Sequence, residues 1–177
     1  QKKVEKRTKR KNFLNSFLAF LVMAVMLIGS ISQVVLADDY EAGKTGTITL
    51  TVQEAGDDGT VKPIPNVKLT LYKVGGVTFD GNVHFVADGA LQFTGIDFEN
   101  IKTAEDWYKA AESLSAAVKK AGISGSEMQS DANGNIVYNN MAEGVYLIVQ
   151  SNPADPHVSV SPLVLPVPFV EEGTGWT

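Results

Sequence analysis

Short segments in which apolar residues alternate with polar ones, each closed by a turn, recur along most of this chain, and that rhythm confines its folded part to a β architecture. In Thr47 to Val52 threonines alternate with Ile48, Leu50 and Val52, the period of a half-buried strand. Glu54 to Pro65 gathers Gly56, Asp57, Asp58, Gly59, Pro63 and Pro65, which predicts a surface loop. It leads to a strand over Val67 to Val74, with Val67, Leu69 and Leu71 on one face. Val77 to Phe79 and Val83 to Val86, joined by Asp80-Gly81-Asn82, predict a hairpin. Leu91 to Ile96 predicts one more short strand. Further on, Asp131 to Asn135 is a turn, Ile136 to Tyr138 a strand, Glu143-Gly144 a turn and Val145 to Val149 an apolar strand. Ser151 to Pro156 reads as a loop. Val158 and Val160 resume the alternation, and Pro162, Pro166 and Pro168 then limit the last segment to an edge strand or a crossing piece, because proline cannot donate to a central ladder.

One stretch breaks the rhythm. Trp107, Ala110, Ala111, Leu114, Ala117, Val118 and Ala121 recur at helical spacing, so a helix is predicted over 104–121. Thr103 suits its N-cap, Glu105 and Asp106 its positive start, Lys119 and Lys120 its negative end, and Gly122 a left-handed stop. Trp107 is expected to anchor this helix on the sheet, with Tyr108 at the border; a sugar-binding platform is the less favoured reading of that pair. Some seven strands with a single inserted helix predict a mainly β fold, an antiparallel Ig-like or prealbumin-like β-sandwich.

Residues 1–37 are of a different kind. Seven of the fifteen basic residues fall within the first eleven positions, and Phe17 to Ile28 is an unbroken apolar run. The small residues Val35 and Ala37 follow. This order predicts a secretory signal peptide, forming a helix in the membrane and cleaved between Ala37 and Asp38, with an uncleaved anchor as the alternative. The domain expected at 38–177 is acidic, with nineteen Asp and Glu against eight Lys. Such a body repels nucleic acid and anionic lipid, so neither is an expected partner and the membrane is met only through the signal segment. The absence of cysteine excludes disulfides, thiolate metal sites and a lipoprotein anchor. The 140 residues after Ala37 are enough for a domain that buries roughly two-thirds of its unfolded surface.

Catalytic groups are sparse. His84 and His157 lack a carboxylate or serine at a spacing that signals a triad and are expected to be solvated or border residues. Asp131, Asn133 and Asn135 resemble the opening of a calcium loop, but Ile136 and Ala142 stand where an EF-hand requires Gly and Glu. A tight turn explains the same residues. No enzyme, cofactor or metal site is expected.

Four blocks, Gly46 to Val52, Pro65 to Val74, Asp131 to Gly134 and Glu143 to Gln150, resemble in order and spacing a collagen-adhesin B-type (prealbumin-like) domain. The leader, the helix over 104–121 and the stretch from Val160 to Pro168 leading to Gly175-Trp176 are similar to the N-terminal domain of sortase-assembled Gram-positive pilins. Domains of that family often close an isopeptide bond from a lysine to an Asn or Asp side chain, aided by a buried acid. The resemblance puts the lysine position at Val52 and the acid position at Gln150, so this domain is expected to lack the bond. Lys44 is the nearest lysine but precedes the strand. The family's lysine acceptor for sortase lies in a W-x-x-x-V-x-V-Y-P-K motif, of which Trp176 would be the first residue.

The resemblance implies a structural subunit of a covalently assembled surface pilus or fimbria that contributes to adhesion, secreted and held at the cell wall. Its implied partners are sortase, neighbouring pilin subunits and host surface ligands. The alternative is a binding module of a non-polymerising, cell-wall-anchored adhesin that recognises a host protein or glycan.

Overall fold

A computed structural model describes residues 42–56, 59–152, 158–167, 170–171 and 175–176. The expected signal segment, its Ala37–Asp38 junction and His157 lie outside the described residues. Eleven strands are described: β1 (Thr45–Thr51), β2 (Gln53–Ala55), β3 (Val61–Pro63), β4 (Lys68–Phe79), β5 (Val83–Ala87), β6 (Ser126–Gln129), β7 (Asn135–Ala142), β8 (Gly144–Asn152), β9 (Leu163–Val167), β10 (Val170–Glu171) and β11 (Gly175–Trp176). Between β5 and β6 lie two 3-10 helices, Gly89–Thr94 and Phe98–Asn100, and the helix α1 (Ala104–Lys120).

The centre is a sheet ordered β5-β4-β8-β9, with every pairing antiparallel. Strand β4 is long enough to carry two partners on one edge, β6 along Lys68–Leu71 and β5 along Gly75–Phe79. Its other edge carries β8. Strands β1 and β7 form a separate two-stranded layer.

Strand alternation divides the apolar side chains between two cores. From β8, Tyr146 and Ile148 join Leu69, Leu71, Leu165, Val167 and the β1–β7 residues Ile48, Leu50, Ile136 and Tyr138 in the first. Val145 and Leu147, pointing the opposite way, join Val74, Val164 and the helix residues Ala111, Leu114 and Val118 in the second. The sheet is therefore covered on one face by β1–β7 and on the other by α1. This is the expected antiparallel β-sandwich with a helix laid against it.

The helix forms as its sequence dictates. Thr103 Oγ1 accepts from the Asp106 amide at 3.1 Å, and Gly122 adopts φ 67° just past the end. Its apolar stripe enters the second core, but the largest residue does not lead it. Trp107 is half-buried and stacks on Phe98 with ring centroids 6.3 Å apart, while Leu114, Ala111 and Val118 are fully enclosed.

Four expectations need revision. The 54–65 loop contains the β2–β3 hairpin, in which Pro63 pairs with Gln53. Strand β4 does not stop at Val74: it continues through Gly75-Gly76 across a register shift between Lys73 and Gly75, where a Cβ on Gly75 would come within 2.7 Å of the Val86 carbonyl oxygen. The Leu91–Ile96 segment is not a strand. Asp88 caps it by accepting from the Ala90 amide at 2.8 Å, and Gly95 closes it at φ 67°, so Leu91 is buried and Phe93 exposed. Strand β6 carries no apolar alternation and was not expected; all four of its residues are exposed. Its place comes from pairing with β4 and from the Lys68–Glu127 ion pair at 3.1 Å.

Candidate functional site

Val52 and Gln150 project into the same core from its two walls. Val52 follows β1, is completely buried, and has its backbone spent: its amide donates to Gly134 O at 2.8 Å and its carbonyl accepts from the Ile64 amide at 2.9 Å. Gln150 lies on β8, on the face of Tyr146 and Ile148. Its Nε2 donates to Val158 O at 3.1 Å and its Oε1 accepts from Val160 N at 2.8 Å. The side chain thus pairs with the crossing segment as another backbone amide would, and secures the approach to β9. Lys44 is exposed, ahead of β1.

Hydroxyls secure the same core. Tyr138 Oη donates to Leu69 O at 2.9 Å, tying the β1–β7 layer to the central sheet, and burial pushes its phenol up to about 12. Tyr146 Oη donates to Ala142 O at 2.7 Å, and burial raises its phenol as well. The buried Ser130 hydroxyl accepts from the Val67 amide and donates to Ile64 O, both at 2.9 Å, fixing the entry into β4.

The turn at Asp131 is built on its carboxylate, which accepts from the amides of Asn133 at 2.8 Å and Asn135 at 2.9 Å. Gly134 closes it at φ 77°, where any Cβ would overlap the Val52 carbonyl oxygen. Among the described residues no group of three His, Asp or Glu is placed to hold a metal ion. Tyr108 is exposed at the helix border and donates to Glu112 at 2.8 Å, with Trp107 turned inward against Phe98. The two rings do not form one platform.

A different cluster appears at the β4–β5 hairpin. His84 Nε2 lies 2.9 Å from Asp80 Oδ1, and its Nδ1 contacts the Glu99 carboxylate on the Phe98–Asn100 helix. With a carboxylate at each nitrogen, only the doubly protonated ring satisfies both contacts. Hydrogen bonds to Asp80 and then Glu99 raise the His84 pKa above 6.5, and the bond to His84 lowers that of Asp80 below 3.8. The four-residue spacing from Asp80 to His84 across a turn was a readable signal, whereas Glu99 comes from an element the sequence did not disclose. Beside the cluster runs an open cleft of about 570 Å³ between β5 and residues 95–99, with Phe85, Ile96 and Phe98 among its lining and Asp80, Asp97 and Glu99 at its polar positions.

Strands β10 and β11 pair, with Val170 opposite Trp176 and Glu171 opposite Gly175. Trp176 is therefore in a strand. No helix among the described residues is long and apolar enough to cross a membrane.

No known family profile matches the chain, and no curated protein matches it. Among solved structures it is similar to the T6 backbone pilin of serotype M6 Streptococcus pyogenes, at 20% identity and TM-score 0.45, over 77% of this chain and 26% of that one. It is similar to the fimbrial protein FimP from Actonomyces oris at 18% identity and TM-score 0.41, over 77% of this chain and 28% of that one. It is similar also to full-length RrgB pilus protein from Streptococcus pneumoniae, at 12% identity and TM-score 0.29, over 63% of this chain and 23% of that one. The chain spans about a quarter of the length of each of these pilus proteins.

Proposed function

We propose that this chain is the N-terminal part of a secreted structural subunit of a sortase-assembled surface pilus, with a signal peptide at 1–37 and a load-bearing β-sandwich from Asp38 onward. One observation carries the reading. The four sequence blocks behind the resemblance fall on β1, on β4, on the turn into β7 and on the turn and strand of β8, and their two key positions, Val52 and Gln150, enter one core from opposite walls. The framework of a cross-linked domain is kept while the groups for cross-linking are replaced by an alkyl side chain and an amide. A buried valine offers no nucleophile, and a carboxamide cannot polarise an acceptor as a protonated acid does.

Around Val52 and Gln150 the polar groups pair with backbone, an arrangement that resists extension. Adhesion and attachment to host ligands belong to the assembled fibre in this reading.

Antibody against residues 42–152 should detect a ladder of high-mass species in cell-wall extracts of the source bacterium, and removal of its sortase should collapse the ladder to a single subunit. A single wall-linked band that persists without higher species would favour the non-polymerising adhesin instead. N-terminal sequencing of the secreted form should begin at Asp38.

A further inference from the structure

The most exposed large apolar side chain among the described residues lies beside two lysines that lack an ion pair. Phe93, on the Gly89–Thr94 helix, is 56% exposed, more than any other large apolar side chain described. Lys120 holds its ammonium 4.8 Å from the centre of that ring. Lys119 adjoins it, and neither lysine makes an ion pair among the described residues. They are the only adjacent pair among the eight lysines after Ala37, in a stretch that carries nineteen acids. The negative end of α1 accounts for the two lysines. It does not account for an aromatic ring left in water beneath one of them. Ring and cations together suit a segment that carries both carboxylates and an aromatic side chain.

The chain carries such a segment. Asp38-Asp39-Tyr40-Glu41 sets three acids about one tyrosine, and it lies outside the described residues, immediately ahead of Ala42 and β1. The strand ladders bring the two close. A Cβ on Gly46 would lie 3.4 Å from Val167 Cγ1, and Val167 pairs with Gly144. Gly144 adjoins Gly75, which pairs with Ala87, two residues before the Gly89–Thr94 helix. From Val167 to Ala87 is three strand spacings, roughly 15 Å. The seven residues from Asp38 to Lys44 span up to about 25 Å when extended. That length crosses the end of the sheet and leaves some for the turn at Ala42-Gly43, where Gly43 takes φ 82°. The acidic pair Glu171-Glu172 is the poorer match, since Glu171 is already held opposite Gly175 in the β10–β11 pairing.

We propose that Asp38–Glu41 folds back within the same molecule as a strap over this patch, with its carboxylates on Lys119 and Lys120 and Tyr40 against Phe93. The strap covers the exposed ring, neutralises the lysine pair and ties the entry of β1 to the end of α1. The proposal goes beyond the pilus reading and does not depend on it.

NMR of the isotope-labelled full chain tests this with the native sequence and with a strap variant, Asp38→Asn, Asp39→Asn, Tyr40→Ser and Glu41→Gln together. In the native chain the Tyr40 ring should show nuclear Overhauser contacts to Phe93 that do not depend on protein concentration. The strap variant, its patch uncovered, should bind the capped peptide Asp-Asp-Tyr-Glu at Phe93, Lys119 and Lys120, and the native chain should bind it severalfold more weakly. Salt at about 1 M, where charges are screened beyond about 3 Å, should weaken the peptide severalfold. Adding Lys119→Gln and Lys120→Gln to the strap variant should do the same. Absence of Tyr40–Phe93 contacts, equal peptide binding by the two chains, or peptide binding indifferent to the lysine substitutions would overturn the proposal. Contacts found only between labelled and unlabelled molecules would assign the patch to a second copy and overturn it as well.

Discussion

Gln150 donates to one carbonyl and accepts from one amide of the same crossing segment, and a carboxamide offers both functions at neutral pH where a carboxylate of the same length only accepts. Gln150→Glu should therefore destabilise the domain by about 1–3 kcal/mol at neutral pH, because the carboxylate cannot donate to Val158 O and loses solvation. Part of the loss should return in acid. A carboxyl in this site has its pKa raised, so its neutral form is favoured below that pKa and the penalty grows as pH climbs through it. Urea unfolding at pH 7 and pH 4 measures both effects. The same site bears on the covalent state. With Val52 and Gln150 as they stand, intact mass should equal the sequence mass of the secreted form, and a deficit of about 17 Da, one ammonia lost to lysine attack on an asparagine, would contradict it. At His84 the sign of the pH effect follows from two shifts. The raised His84 pKa gives a contribution fully present below the unfolded value of 6.5 and lost as pH rises through the folded one. The lowered Asp80 pKa gives one present above 3.8 and lost as pH falls through its folded value. The clasp is thus strongest between those limits, and the protection of β4–β5 amides relative to their intrinsic base-catalysed exchange should fall on the alkaline side, a dependence that His84→Gln removes.

Among the elements, the helix was the most legible in sequence because its cap, charge bias and apolar spacing agree. Its energetics were less so. Leu114→Ala should cost about 2–5 kcal/mol, being fully enclosed in the second core, and Tyr108→Ala should stay within about 0.5 kcal/mol because its ring is exposed; thermal unfolding of the two variants measures the contrast. Strands β1 and β7 could be read from the chain because each buries one face, and β8 because its apolar run buries both. Strand β6 could not, since its four residues are exposed and it is placed by pairing with β4 rather than by a buried face of its own. The Leu91 segment misled in the opposite way, as its apolar alternation is bent into a 3-10 helix by Asp88 and Gly95, local polar and glycine signals that outweigh a short pattern. The clasp of His84 was half legible: Asp80 is near in sequence, and Glu99 arrives only with that unforeseen turn.

For the whole molecule, the central sheet with the two-stranded β1–β7 layer on one face and a helix on the other is a body whose layers are tied by side chains rather than by disulfides. Polymer assembly is the claim that distinguishes a pilus subunit from any other protein of this shape, and it turns on one lysine. If Trp176 opens the sortase acceptor motif, the gene encodes a lysine nine residues beyond it. The direct measurement mixes the cognate sortase and a sorting-signal peptide with this chain and with one extended by about twenty residues, enough for another strand and turn, and maps the product by mass spectrometry. The account predicts that only the extended chain gains the peptide, at that lysine. Equal labelling of the shorter chain at one of its eight lysines after Ala37, or no labelling of either, would contradict it.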